Sequence, residues 1–478
     1  MNDIHPQHTA PVDVAGAAVD VPAGPRPVLS VFAAVMITVG IVVGAGIFQT
    51  PALVASIAGS PLLMLAAWVL GGALSFVGAL TYAELASTYP SAGGEYSFLT
   101  RAYGRDVSFL FAWARTMVIV TGSIALIAYI LGDYLTRLWN LGPHSSAIYA
   151  AIAVVVLTAI NLAGLRASSR MQNVLTIVEV TGVLLIGVAG FLFGSPPENS
   201  LAGPAVSGTG TLGLALVFVL LTYGGWNEAA YVSAELRSGP RAVLRTLLLS
   251  ITVITLVYLL FVGGLMTTLG FESMKASDAV AVDAVTQIVG TTGGQAIGVL
   301  VAVSALTSMN STMLVGARSS YALARDWPVF GFLGRWHGER STPHAGFIAL
   351  ALITLALIGF GALTKDGFST LVEFTAPVFW FFFMLTGIAL FVLRRKEPER
   401  ARPYKVPLYP VLPLVFIATC AYLLYSSVRH AQSEHASYVA LFVMLSGAVV
   451  WVGLRLYEQY ARNTRTSLRD ADSPTSGQ

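Results

Sequence analysis

Two glycine clusters interrupt long apolar stretches of this 478-residue sequence near their middle. The first covers residues 40–46, and the second begins at Gly224. Glycine disfavours a helix by about 1 kcal/mol per residue, and unwound backbone inside a bilayer is tolerated only where it lines a cavity or is buried in protein. Such breaks expose N–H and C=O groups beside charged half-helix ends, so the pair could hold a carboxylate and an ammonium group. Close helix packing is the alternative reason for these glycines.

Four charged side chains, Arg115, Glu179, Glu228 and Glu373, also fall within apolar stretches. A charge inside the hydrocarbon is costly and marks a functional candidate. Arg115 lies about 12 Å from the inner end of its helix at 1.5 Å per residue, and Glu179 and Glu228 fall near that depth. We predict that Arg115 pairs with Glu179 or Glu228, which leaves one carboxylate able to titrate and couple protons. A static salt bridge is the alternative. Glu84, nearer an inner helix end, is expected to contact basic loops.

The composition excludes a soluble protein. Hydrophobic residues make up 55% of the chain and charged residues 11%, against roughly a quarter charged in soluble domains. We therefore expect a multi-pass protein of the cell membrane, the inner membrane in a bacterium. A single cysteine, Cys420, excludes an internal disulfide and a cysteine metal cluster, and the histidines fall in tails and connections. No metal, cofactor or enzyme activity is expected, and the spread of basic residues over loops predicts no nucleic-acid partner.

The membrane-spanning elements can be counted, because one helical span takes about 20 apolar residues. The sequence predicts an all-α polytopic membrane protein with about twelve transmembrane helices. They cover residues 28–57, 61–86, 107–138, 146–164, 171–193, 209–236, 243–269, 293–323, 344–362, 368–393, 407–428 and 436–456.

The distribution of Lys and Arg predicts the orientation of these helices. Nearly all of them fall on one side, and the other side carries only Arg137, Lys275, Lys365 and Arg429. Basic loops face the cytoplasm, so both termini are expected there. Residues 1–27 are predicted to be a disordered cytoplasmic tail and not a cleaved signal, and residues 457–478 a second cytoplasmic tail.

The two glycine breaks fall in the first and sixth predicted spans, which are matching positions in two halves of five helices. Interrupted segments at matching positions indicate a transporter site between inverted repeats. The sequence therefore predicts a transporter domain over residues 28–456. Its first repeat covers 28–193, its second repeat covers 209–393, and two extra helices follow over 407–456.

Four motifs in order carry a family resemblance: Val43–Phe48, Tyr89–Tyr96, Thr222–Asn227 and Arg402–Pro410. In them the sequence resembles the amino acid–polyamine–organocation (APC) transporter superfamily, and within it the L-type amino acid transporter branch. The resemblance extends over nearly the whole chain except the tails. It implies a LeuT-type 5+5 inverted repeat with two C-terminal helices, and alternating access for amino acids.

The resemblance also implies which residues bind the two charged ends of an amino acid. The carboxylate is assigned to backbone around Ile41, Val42, Ala45 and Gly46, and the amino group to carbonyls of Ile41, Leu221, Thr222 and Gly224. Leu221 stands where the branch usually has a bulky aromatic residue, so a tight aromatic lid is in doubt. Glu179 stands where many members carry a lysine, so the energy coupling stays open.

Five further side chains near the breaks are candidates. Asn227, Ser308 and Asn310 are expected to line the site, although polar side chains in membrane helices commonly bond to a neighbouring helix. Tyr223 and Trp226 are expected either to gate the site or to pack beside it.

The sequence thus favours a secondary transporter of amino acids, most simply neutral L-amino acids, acting as an exchanger or a proton-coupled symporter. Cationic amino acids or polyamines are an alternative, which the carboxylate of Glu228 would favour. A channel would need rings of like groups along a pore, which these isolated polar residues do not supply. The expected partners of the transporter are amino acids, the lipid bilayer and, as a candidate, protons. No disulfide-linked heavy chain is expected, because the outer loops contain no cysteine.

Overall fold

A computed structural model describes most of the chain. The described residues are 30–91, 93–163, 165–195, 209–231, 233, 236, 237, 239, 241–333, 343–363, 367–429 and 434–471. They form helices and connections, and no strand occurs among them. The predicted N-terminal tail, residues 1–27, lies outside the described residues.

Seventeen α-helices follow one another along the described chain. They are α1 (Val31–Val42), α2 (Gly46–Ala58), α3 (Pro61–Thr88), α4 (Glu95–Tyr103), α5 (Arg105–Ala114), α6 (Val120–Leu138), α7 (Ser145–Ala163), α8 (Leu165–Phe193), α9 (Thr209–Thr222), α10 (Arg241–Leu269), α11 (Phe271–Ala276), α12 (Val280–Val289), α13 (Thr291–Asp326), α14 (His344–Ala362), α15 (Gly367–Lys396), α16 (Val411–Arg429) and α17 (Glu434–Ala471). A π-helical turn, Arg115–Ile119, joins α5 to α6, and a 3-10 turn, Trp226–Ala230, follows α9.

The described helices include ten segments long and apolar enough to cross a bilayer. The pair α1 and α2 meets the same test as one unit, bent by 48° at its break. Many large apolar side chains of these spanning helices are exposed on the outside of the protein, as contact with lipid requires. The chain is therefore an all-helical, multi-pass membrane protein, as the composition predicted.

Four predicted segments differ from the structure. The predicted span over 209–236 does not continue as one α-helix, because α9 ends at Thr222 and a 3-10 turn follows. The predicted connections 89–106 and 270–292 contain α4, α11 and α12, which are too short to meet a 20-residue criterion. The last helix continues beyond residue 456 to Ala471, so part of the predicted second tail is helical.

The two interrupted helices lie at the centre of the helical bundle. Helix α1 packs against α8, α10 and α13, and α2 packs against α9. Helix α9 in turn contacts α3 and α16. Both breaks are therefore enclosed by protein, which is the condition under which unwound backbone is tolerated in a membrane.

Glu84, near the end of α3, contacts the last turn of α15 and the segment that follows it. Its Oε2 lies 2.5 Å from Nη2 of Arg394, its Oε1 lies 3.5 Å from Nε of Arg402, and the backbone N–H of Val406 donates to it at 2.7 Å. The predicted contact between this carboxylate and a basic loop is confirmed.

Candidate binding site at the two helix breaks

The first break separates α1 from α2 and leaves the start of α2 uncapped. Ala45 precedes α2 in helical conformation, and no side chain caps the helix. The N–H groups of Ile47 and Phe48 donate to the carbonyls of Gly44 and Ala45 at 3.2 and 3.1 Å, so the N–H groups of Ala45 and Gly46 are the ones that remain for a ligand. Those N–H groups and the helix dipole favour an anion. Gly44 lies against α13 so closely that a Cβ there would stand 2.1 Å from Oγ of Ser308. A side chain at position 44 would therefore displace the Ser308 hydroxyl and press on Cβ of Ser308, which would stand 3.1 Å away.

The second break follows α9 and lies directly against the first. Gly225 has φ +108°, and a Cβ there would stand 2.7 Å from Cγ2 of Ile41. The hydroxyl of Tyr258 on α10 lies 2.6 Å from the carbonyl oxygen of Val42 and 3.0 Å from that of Thr222. One phenol therefore holds the ends of both interrupted helices together.

A cavity of about 170 Å³ lies between the breaks. All the backbone positions that the resemblance assigned to substrate line it, namely Ile41, Val42, Ala45, Gly46, Leu221, Thr222 and Gly224. Four of the other predicted residues line it as well, namely Arg115, Asn227, Glu228 and Ser308. The structure thus gathers most of the predicted site residues around one space.

The rest of the cavity wall comes from side chains that the sequence did not identify. Its apolar part consists of Val120, Leu126, Ile127, Phe218, Val315, Phe368, Val372 and Phe379, and its hydroxyl groups come from Thr50, Ser123, Thr312 and Thr375. Most of them lie on α6, α13 and α15, which are apolar over most of their surface. Hydrophobic periodicity therefore could not reveal which side chains face inward.

The charged part of the wall is an ion pair in which one guanidinium nitrogen contacts both carboxylate oxygens. Nη2 of Arg115 lies 2.9 Å from Oε1 and 2.7 Å from Oε2 of Glu228. The Arg115 side chain is 3% exposed and that of Glu228 is 16% exposed. Nε of Arg115 donates to Ser319 at 2.9 Å, and the ring of Tyr231 stacks on the guanidinium at 4.3 Å. Of the two carboxylates considered for Arg115, Glu228 is the one in contact.

A second carboxylate, Glu95 of α4, joins this pair from outside the cavity. Its Oε2 lies 3.6 Å from Nη1 of Arg115. It also accepts hydrogen bonds from Tyr82 at 2.6 Å, Asn227 at 3.0 Å and Tyr231 at 3.1 Å. Burial raises the pKa of Glu95, although the charge of Arg115 opposes that shift. One guanidinium therefore serves two carboxylates.

Glu95 was missed as a site residue because it lies in a connection between predicted spans. The signal available was its place in the Tyr89–Tyr96 motif, which the resemblance identified without giving it a role.

Two predicted polar residues lie away from the cavity. Glu179 of α8 is completely buried, and one of its oxygens accepts a hydrogen bond from Ser304. Asn310 of α13 donates to Gln172 at 3.0 Å and accepts from Asn161 at 2.8 Å, so it connects α13 to α7 and α8. Neither side chain lines the space between the breaks.

The two predicted gating aromatics are packed beside the site and not in its wall. Tyr223 packs on Trp68 and Tyr258, and Trp226 packs on Tyr82 and Phe383. Their packing corresponds to the alternative that the sequence left open, and a gating role stays a prediction.

Three buried polar atoms of the cavity-lining residues lack a hydrogen-bond partner among the described residues. They are Oδ1 of Asn227, Oγ of Ser308 and Oγ1 of Thr375. Buried polar atoms are normally paired, so these three are hydrogen-bonding groups that the described protein leaves without a partner at the cavity wall. No group of three His, Cys, Asp or Glu side chains suited to a metal occurs in the described part of the chain.

Comparison with known proteins identifies the family. The profile of the family described as amino acid permease matches residues 29–449. The large neutral amino acids transporter small subunit 2 of Mus musculus is 30% identical over 442 residues, which cover 89% of this chain and 80% of that protein. The serine/threonine exchanger SteT of Bacillus subtilis is 27% identical, covering 88% and 95%. The b(0,+)-type amino acid transporter 1 of Mus musculus is 28% identical, covering 87% and 85%. The chain therefore belongs to the amino acid permease family, whose members are transporters and not enzymes.

Proposed function

We propose that this protein is a secondary transporter that moves neutral amino acids across the membrane by alternating access. The uncapped start of α2 receives the substrate carboxylate, and carbonyls of the α9 break with Oδ1 of Asn227 receive the amino group. The observation that carries the proposal is the cavity itself, which brings the start of α2 and the unpaired Oδ1 of Asn227 to one small space.

The composition of the cavity wall favours a substrate with a neutral side chain. Among the described residues that line the cavity, the only charged ones are Arg115 and Glu228, which neutralise each other, and the remaining described lining is mostly apolar. The named relatives transport or exchange amino acids according to their names, which supports the same substrate class. A cationic amino acid or polyamine is the second candidate, because part of the Glu228 carboxylate reaches the cavity.

We also propose the twelve-span LeuT-type arrangement with both termini in the cytoplasm. Ten continuous segments and the bent pair α1–α2 supply eleven spans, and α9 with its following turn supplies the twelfth. The breaks then fall in the first and sixth spans, as two inverted repeats of five would require.

We propose that the chain functions without a disulfide-linked heavy chain, as an exchanger or a proton-coupled symporter. The mouse relative is named a small subunit, but the sole cysteine of this chain, Cys420, is buried within α16. A covalent link to another chain through Cys420 would require α16 to leave the bundle.

Counterflow in proteoliposomes tests this function. Purified protein is reconstituted with unlabelled leucine inside, and uptake of labelled leucine, alanine, lysine and glutamate is followed without ion gradients. We expect exchange of leucine and alanine and little exchange of lysine or glutamate. Preferential exchange of lysine would favour the second candidate. Absence of exchange for every amino acid and polyamine supplied inside and outside would contradict the proposal.

A further inference from the structure

The carboxyl group of Glu179 is buried near α1, and almost no polar or charged group offsets the cost of burying it. It is 0% exposed, it accepts one hydrogen bond, from Ser304 of α13, and its Oε2 has no partner. A carboxylate buried in this way is costly unless it is paired or neutralised. Glu228 differs, because Arg115 neutralises it at 2.7 Å.

The groups around Glu179 do not supply a compensating charge. Helices α1, α7, α10, α12 and α13 pack against α8. Among the described residues of these helices, the hydroxyl of Ser304 is the only hydrogen-bond partner. The phenol of Tyr258 on α10 is the one other titratable group that interacts with it. No described lysine, arginine or histidine faces it.

The surrounding packing favours a proton over a metal ion. A Cβ on Gly40 would stand 2.5 Å from Oγ1 of Thr176, and a Cβ on Gly44 would stand 2.1 Å from Oγ of Ser308. Helix α1 is thus in close contact with α8 one turn before Glu179 and with α13 one turn after Ser304, and Glu179 does not line the cavity. A sodium ion needs several oxygen ligands and space among them, whereas a proton needs only the carboxylate.

We propose that Glu179 is a proton-binding site that is occupied in this conformation, and that release of its proton loosens α1 from α8 and α13 during the transport cycle. The inference rests on the proposed transport function and extends it, because it identifies the proton as the coupled ion. The proton is taken from water on one side of the membrane and returned to water on the other, so no further reactant is needed.

The route from Glu179 to the substrate cavity is short. Thr176 lies one turn before Glu179 on α8 and contacts Gly40 of α1. Ser308 lies one turn after Ser304 on α13, contacts Gly44 and lines the cavity. Charging Glu179 therefore acts on the segment of α1 that forms the carboxylate end of the site. We expect this conformation to become less stable as the pH rises and Glu179 loses its proton.

The experiment compares the wild type with Glu179→Gln in the same proteoliposomes, by counterflow and by accumulation under a pH gradient. When one proton enters with each substrate molecule, a gradient of about one pH unit supplies about 1.4 kcal/mol. That free energy supports about tenfold accumulation of the substrate. Glutamine mimics the protonated carboxyl, so Glu179→Gln should retain counterflow and lose accumulation. A pH-sensitive dye inside the vesicles should report proton entry with substrate in the wild type and not in the variant. The exposed Glu272→Gln serves as control and should change neither.

The outcomes separate the two claims. Wild-type counterflow without accumulation under a pH gradient, accumulation that requires sodium, or accumulation retained by Glu179→Gln would each overturn the proton site and leave transport intact. Absence of counterflow in the wild type would instead contradict the proposed function.

If Glu179→Gln does not fold, Ser304→Ala gives a second test. It removes the hydroxyl that stabilises the charged form, so half-maximal accumulation should move to higher pH. An unchanged pH profile in Ser304→Ala would overturn the inference.

Discussion

Nη2 of Arg115 lies 2.7 Å from Oε2 of Glu228, and this contact connects the π-helical turn between α5 and α6 to the 3-10 turn after α9. The same guanidinium lies 3.6 Å from Glu95 of α4. The segment that follows the second helix break is therefore held to two other elements by one cation.

Removing the cation should destabilise the protein strongly. Arg115→Met leaves Glu228 and Glu95 without their counter-charge, and breaking a buried ion pair costs about 3–5 kcal/mol. We expect a large fall in the thermal unfolding midpoint in detergent. The double variant Arg115→Met/Glu228→Gln should lose less than the sum of its single variants, because the residues are coupled.

A matched control is the pair of Arg101 and Glu397. Their closest atoms are 3.9 Å apart and the side chains are 45% and 31% exposed. Arg101→Ala should cost less than about 1 kcal/mol. Equal effects of Arg101→Ala and Arg115→Met would refute the assignment of a special role to the buried cluster.

The break between α1 and α2 should tolerate no side chain at position 44. Gly44→Ala places a Cβ against Oγ of Ser308, so we expect loss of counterflow. The double variant Gly44→Ala/Ser308→Gly relieves the clash and should recover part of the activity. Gly359→Ala is the control, because a Cβ there meets nothing within 4 Å. Full activity of Gly44→Ala would show that the two helices are not in this contact during transport.

The size of the cavity should set the size of the substrate. Leu221 lines the cavity beside the second break. The L-type amino acid transporters, which this sequence resembles, usually have an aromatic residue at this position. Leu221→Trp should reduce uptake of leucine and phenylalanine about tenfold or more relative to alanine, since overpacking a filled site costs about 1–3 kcal/mol. Equal losses for large and small substrates would argue that Leu221 does not touch the substrate side chain.

The pKa of Glu95 predicts a pH dependence of stability. Burial raises this pKa above the ordinary value of 4.5, so the folded protein binds a proton more readily than the unfolded chain. The contribution of Glu95 to stability should therefore fall as the pH rises from its ordinary value through the raised one. Glu95→Gln cannot ionise at this position and should therefore flatten the dependence of the unfolding midpoint on pH over that interval. A steeper pH profile in Glu95→Gln would contradict this sign.

Sequence reasoning found the backbone of the site more readily than its side chains. The glycine clusters around Gly44 and Gly224 are visible because glycine is unusual in the middle of an apolar span. The depth argument for Arg115 narrowed its partner to Glu179 or Glu228 and could not choose, because both lie near one level. The choice depends on helix rotation, which turns Glu179 toward Ser304 and Glu228 toward the cavity.

Other parts of the site could not be predicted for physical reasons. Val372 and Thr375 lie on α15, where apolar residues occur on every face, and periodicity does not separate lipid-facing from cavity-facing positions. Glu95 lies in α4, which has nine residues and does not resemble a span. Its role depends on Tyr82, Asn227 and Arg115, which are distant in sequence and meet only in the folded protein.

Substrate protection of a cysteine in the cavity wall tests the central claim most directly. In a Cys420→Ser background, Ser123→Cys places a thiol in the cavity, and Ser56→Cys places one in the adjacent pocket that is lined by Phe48, Asp133 and Arg137 and shares Phe368 with the cavity. A neutral amino acid at about ten times its Kd should slow modification at position 123 about tenfold, since the occupied fraction is withdrawn from reaction. Modification at position 56 should be unchanged. Equal modification of position 123 with and without saturating amino acid, while counterflow continues, would contradict binding between the two helix breaks.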